Sequence, residues 1–148
     1  MLTLDALDTV RPVEERTTDS SAAAALVVVD TPERLERALA RARARYTCIT
    51  IAFVAPRVPA TCVFVVGLDL KRLEAEGVAW AKRFVRDAAL ALPPSIKARH
   101  LVVADDDQFL RLAESHDAAG AVVLDLSSRT RRRRFWRRWE ATRCCASR

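Results

Sequence analysis

Four apolar runs constrain the fold of this chain more than any other feature: "AAAALVVVD" (22–30), "TCITIAFVAP" (47–56), "ARHLVVADD" (98–106) and "AVVLDL" (121–126). Each is continuous rather than alternating, the pattern of a strand covered on both faces. The segments between them carry helical periodicity. A chain in which buried strands alternate with amphipathic helices folds as an open parallel sheet with right-handed crossovers. The expected class is therefore α/β, a three-layer open parallel sheet of about four main strands with helices on both faces.

After the first strand, "TPERLERALARARARY" supplies a capping Thr31, Pro32 at the first helical position and Glu33 at the positive helix end. Leu35, Ala38, Leu39, Ala42 and Tyr46 share one face, which leaves Arg37, Arg41, Arg43 and Arg45 for water. Leu70, Leu73, Gly77, Trp80, Ala81, Phe84, Val85, Ala88 and Leu92 recur at three and four, and Pro93-Pro94 stops that helix. A shorter helix follows over 107–117, with Phe109, Leu110 and Ala113 inward and Gly120 closing the turn. "TCVFVVG" (61–67) fits a short strand or a packed loop, and periodicity does not decide between them.

Charge divides the chain. Residues 129–148 hold nine Arg and one Glu, a charge of +8, so the other 128 residues, with 16 basic and 18 acidic side chains, sum to −2. Any attraction to nucleic acid or anionic membrane is expected from the tail. Residues 1–21 read as a mobile, slightly acidic leader without the basic start and apolar stretch of a secretory signal. The expected organisation is this leader, an α/β domain over 22–128 and a basic tail over 129–148. Cys48 and Cys62 lie in apolar runs as small buried hydrophobes, Cys144 and Cys145 are adjacent, and no CxxC pair is present. With only two histidines, no zinc site is expected, and the default setting is reducing and cytoplasmic.

"LVVVDTPERLERALARARA", "ITIAFVAP", "LKRLEAEGVAWAKRFVRDAALAL" and "HLVVADDDQFLRLAESHDAAGAVVLDLSSRT" follow one another in an order that resembles the universal stress protein family. The resemblance spans roughly residues 24–130 and implies a Rossmann-like fold. Nucleotide-binding members carry Gly-x-x-Gly, nine residues, then Gly-Ser or Gly-Thr after the fourth main strand, so that backbone N–H groups approach the phosphates. At the matching place stands "LSSRTRRRRFWRRW", with none of those glycines. Asp30 matches the family's strand-end acid, and Ser127 and Ser128 occupy the phosphate turn. The family's fifth strand is missing, with the arginine tail in its place.

From the residues alone, Asp30 reads either as a nucleotide contact or as an acid capping the helix behind it, the latter being commoner in α/β sheets. Asp105, Asp106 and Asp107 read as a helix cap, supplied by Asp106 or Asp107, rather than a cation site. Asp125 has no visible partner. His100 and His116 show no triad-like spacing and read as surface or helix-end residues. The chain is expected to be non-enzymatic and to carry no cofactor and no metal.

In the tail, a helix places Phe135, Trp136 and Trp139 on one side, with Arg131, Arg132, Arg133, Arg134, Arg137 and Arg138 around them. Such a surface suits an anionic membrane or nucleic acid. Alternatively, the aromatic residues cover the open sheet edge beside the last strand. The expectation is a regulatory or interaction module with an unidentified protein partner or a second copy of itself. The alternatives are a tail-driven binder of nucleic acid or anionic membrane, and residual nucleotide binding at Asp30 and the 127–130 turn.

Overall fold

The computed structural model describes residues 13–18, 22–55, 69–115 and 120–146. Five strands are joined in one sheet: β1 (Glu14–Thr17), β2 (Ala24–Val29), β3 (Cys48–Val54), β4 (Lys97–Val103) and β5 (Ala121–Asp125). Four helices accompany them: α1 (Pro32–Arg43), α2 (Leu70–Leu90), α3 (Asp106–Glu114) and α4 (Arg129–Ala146). The strand order is β1-β5-β2-β3-β4. The four strands expected from the apolar runs pair in parallel throughout. The run 61–67, with Cys62, and His116 lie outside the described residues.

Strand pleating divides the core in two. Ala25, Val27 and Val29 of β2 join Leu35, Leu39, Ala81 and Val85 on the face covered by α1 and α2. Leu26 and Val28 join Phe109, Phe135, Trp136 and Trp139 on the face covered by α3 and α4. This two-sided burial is the physical reason the runs are continuously apolar. Thr31 caps α1 by accepting from the Arg34 N–H at 3.3 Å, and Asp69 caps α2 through the Arg72 N–H at 3.2 Å. Asp105, rather than Asp106 or Asp107, caps α3 through the Gln108 N–H at 2.8 Å, because it is the last extended residue before the helix.

Several expectations need correction. Residues 14–17 are not part of a mobile leader: they form a fifth strand, antiparallel to β5, with Glu14 opposite Leu124 and Thr17 opposite Ala121. The sheet is thus mostly rather than wholly parallel, and the edge beside β5 is occupied by β1. The tail lies on a sheet face instead, as helix α4. β4, expected to be buried, is the far edge strand, and His100 is exposed on it. Cys48 is only half-buried. Arg37, Arg41 and Arg45 are exposed but engaged rather than left to water: Arg37 meets Asp125, while Arg41 and Arg45 meet Glu15.

Gly120 precedes β5 with φ 110°, and a Cβ there would come within 2.4 Å of the Ala22 Cβ. Both the backbone conformation and the close approach call for glycine at this turn.

Candidate functional site

The chain runs from β2 through β3 to β4 on one side, and the crossover from β4 then returns to place β5 on the other side of β2. The carboxyl ends of these strands are where an open α/β sheet offers a ligand crevice. Asp30 follows β2, and Ser127 and Ser128 follow β5, so the sheet brings the three sequence-selected residues together. The Asp30 Oδ2 accepts from the Ser127 N–H at 3.0 Å and also from the Ser127 hydroxyl. Its Oδ1 lies 3.7 Å from the Arg34 Nε. Asp30 does not cap the helix behind it, since Thr31 does, but ties two strand ends. Ser128 caps α4, its Oγ accepting from the Arg131 N–H at 3.3 Å and its carbonyl from the Arg132 N–H at 3.1 Å.

One side chain at this end of the sheet was not legible as a partner-bearing group. Asp125 is buried, and its carboxylate accepts from the Arg34 Nη1 at 2.7 Å and from the Arg37 Nε and Nη2 at 2.8 and 2.6 Å. Charge-assisted bonds of this kind compensate the carboxylate for leaving water. They also clamp α1 to the end of β5.

The second polar centre anchors β1. Glu15 accepts from Tyr46 Oη at 2.5 Å, Arg41 Nε at 2.7 Å and Arg45 Nη1 at 2.8 Å. Burial acts to raise the Glu15 pKa, but the Tyr46 and Arg41 hydrogen bonds and the two guanidinium charges prevail and hold it below the ordinary value. Burial, followed by the bond to Glu15, pushes Tyr46 up to about 12. On the opposite side of β1, Glu14 accepts from Trp136 Nε1 and from Arg132 Nη1, the latter at 3.4 Å. Arg16 pairs with Glu140 and stacks 4.3 Å above the Trp136 ring.

Helix α4 places the remaining candidates on three faces. Phe135, Trp136 and Trp139 are interior, 0%, 6% and 8% exposed. Phe135 meets Phe109 at 5.7 Å between centroids, and Trp136 meets Phe135 and Trp139 edge-on at 5.3 and 5.6 Å. The flank toward α3 is paired with acids, three arginines to two carboxylates. Arg131 and Arg134 lie 4.0 and 3.9 Å from Asp106, and Arg138 lies 3.2 Å from Glu114. The flank toward β1 borders a groove of about 600 Å³ lined by Arg16, Arg129, Arg132, Arg133, Arg137 and Trp136, with Glu14 and Glu140. Arg129, Arg133 and Arg137 are exposed and pair with no acid among the described residues. Periodicity had put all six arginines 131–134, 137 and 138 in one class. The structure separates them by their acidic neighbours.

A second depression of about 520 Å³ lies between α1 and α2 on the other sheet face, lined chiefly by Leu35, Leu39, Phe84, Ala88 and Leu92. Among the described residues, no three His, Cys, Asp or Glu side chains are grouped to hold a metal ion, and no helix is long and apolar enough to cross a membrane. Comparison of the chain with protein-family models, curated proteins and solved structures gives no significant match.

Proposed function

We propose that the protein is a non-catalytic regulatory or interaction module on a universal-stress-protein-like, Rossmann-like α/β domain, contacting its partner through its outer surface rather than through the strand-end crevice. The observation that carries this reading is the Asp30–Ser127 contact. The turn after β5 spends a backbone N–H and a hydroxyl on the chain's own carboxylate. These are the donors a phosphate at this place would use, and Asp30 adds negative charge where the phosphate would enter. The test is calorimetric titration of the full chain with ATP. The expected result is no binding tighter than the millimolar range. Micromolar affinity that Asp30→Ala abolishes would overturn the reading in favour of a nucleotide site.

A second reading, a polyanion binder, is favoured by one specific observation: the flank of α4 that bears Arg129, Arg133 and Arg137. Burial of Phe135, Trp136 and Trp139 takes the aromatic rings away from membrane insertion, which needs them at the surface. It leaves the arginines as the contact groups.

A further inference from the structure

Resting on the polyanion reading, we propose that Arg129, Arg133 and Arg137, with Arg16 across the groove, form a sequence-independent site for the phosphodiester backbone of duplex nucleic acid.

The charge of the groove is in excess. Five arginines face two glutamates, a surplus of three positive charges. Both glutamates are already engaged, Glu14 by Arg132 and Trp136 and Glu140 by Arg16. The Nε of Arg132 is buried without an acceptor among the described residues. Arg129 also stands at an unfavourable place, in the first turn of α4. The first turn of α4 contains no acid, although the positive end of a helix favours acids. An anion bound along this flank relieves repulsion among the arginines and offsets the helix dipole.

The spacing selects the class of anion. Arg129, Arg133 and Arg137 recur every four residues, about 6 Å per step and about 12 Å in all along the helix axis. Phosphates follow one another about every 3.4 Å of axis on one strand, so this row spans three to four of them. A single phosphate satisfies only part of the row. Single strands are held largely by bases stacked on exposed aromatic rings, and the rings of α4 are interior. The outer positions of α4 carry no Asn or Gln to read adenine edges. Arginine can also read guanine edges, so backbone contact is distinguished from base readout by equal affinity for duplexes that differ in G·C content.

Fluorescence anisotropy of the full chain with two unrelated duplexes of about 20 base pairs that differ in G·C content tests this. The expected result is equal affinity for both duplexes. With about three phosphates neutralised, log K should fall with log salt at a slope near −2.7, about 40-fold weaker binding between 50 and 200 mM salt. The triple variant Arg129→Gln, Arg133→Gln, Arg137→Gln should lose at least tenfold in affinity at 50 mM salt and most of the salt slope. The triple variant Arg131→Gln, Arg134→Gln, Arg138→Gln removes the same charge from the acid-paired flank and should lose less than threefold. Circular dichroism melts confirm that each variant folds. If a variant does not, the single substitutions Arg133→Gln and Arg134→Gln carry the same comparison. Equal losses in the two variants would reduce the effect to net charge and overturn the site. So would binding to vesicles of phosphatidylglycerol and phosphatidylcholine without binding to duplex, or a strong preference for single strands. None of these failures touches the ATP titration, whose outcome bears on the strand-end crevice alone.

Discussion

Replacing Phe135 by Ala tests whether the arginine-rich segment belongs to the folded domain. Phe135 is fully buried between Phe109 and Trp136, against the sheet face that carries Leu26, Val28, Val122 and Leu124. Burying a Phe side chain contributes about 1.5–3 kcal/mol by transfer alone. The cavity left by truncation brings the total loss to about 3–5 kcal/mol. Lost ring contacts with two aromatic neighbours, one tilted and one edge-on, favour the upper half of that range. For a chain of nearly this size each kcal/mol lowers Tm by about 2–4 °C, so a fall of about 6–20 °C is expected. Arg133→Ala, on the exposed flank of the same helix, should change stability by less than about 0.5 kcal/mol. Thermal unfolding followed by circular dichroism, with urea titrations at 25 °C, gives both numbers. Truncation after Ser128 would uncover the part of the sheet face that α4 covers, and the shortened chain should lose cooperative unfolding or aggregate. A Phe135→Ala loss below about 1 kcal/mol, or a truncated chain melting like the full one, would refute the packing of α4 on the sheet.

Two further outcomes follow from the polar centres. Asp125→Asn weakens three bonds from Arg34 and Arg37 at a buried position, and since both arginines are partly exposed the cost should be about 1–3 kcal/mol, seen as a lower urea midpoint at unchanged m. Stability should vary with pH at both ends through β1. The lowered Glu15 pKa contributes stability above the ordinary carboxylate value of 4.5 that is lost on further acidification, and the raised Tyr46 pKa contributes stability below pH 10 that is lost as pH rises toward about 12. Glu15→Gln should flatten the acid limb of urea midpoint against pH, and Tyr46→Phe the alkaline limb. Unchanged limbs in both variants would show that the Glu15–Tyr46 contact does not hold β1.

The apolar runs alone determined four parallel strands and the helices between them, because a short apolar run bounded by turn residues favours a strand and an amphipathic helix repeats every three to four residues. That Phe135, Trp136 and Trp139 share one side of a helix was equally legible, but whether that side faces the protein or an anionic partner was not, and the structure turns it inward. Asp30 and Ser127 were placed at neighbouring strand ends, but their contact was not read: Asp30 was expected to touch a nucleotide or cap the helix behind it, and it binds Ser127 instead. What only the tertiary structure decided depends on residues far apart in the chain. "EERT" (14–17) has no apolar alternation, and it is a strand because β5 offers an unpaired edge and α1 and α4 offer cations for Glu15 and Glu14. β4 reads like the other strands but is an edge, because strand order is set by crossover direction and not by composition. Asp125 finds Arg34 and Arg37 about ninety positions earlier. The arginines of α4 are alike in sequence, yet α3 supplies Asp106 and Glu114 to one flank only. Periodicity is a local property that fixes which way a side chain points. Which charge it meets there is set by the packing of distant elements, and that packing separates the arginines that meet an acid from Arg129, Arg133 and Arg137, which meet none among the described residues.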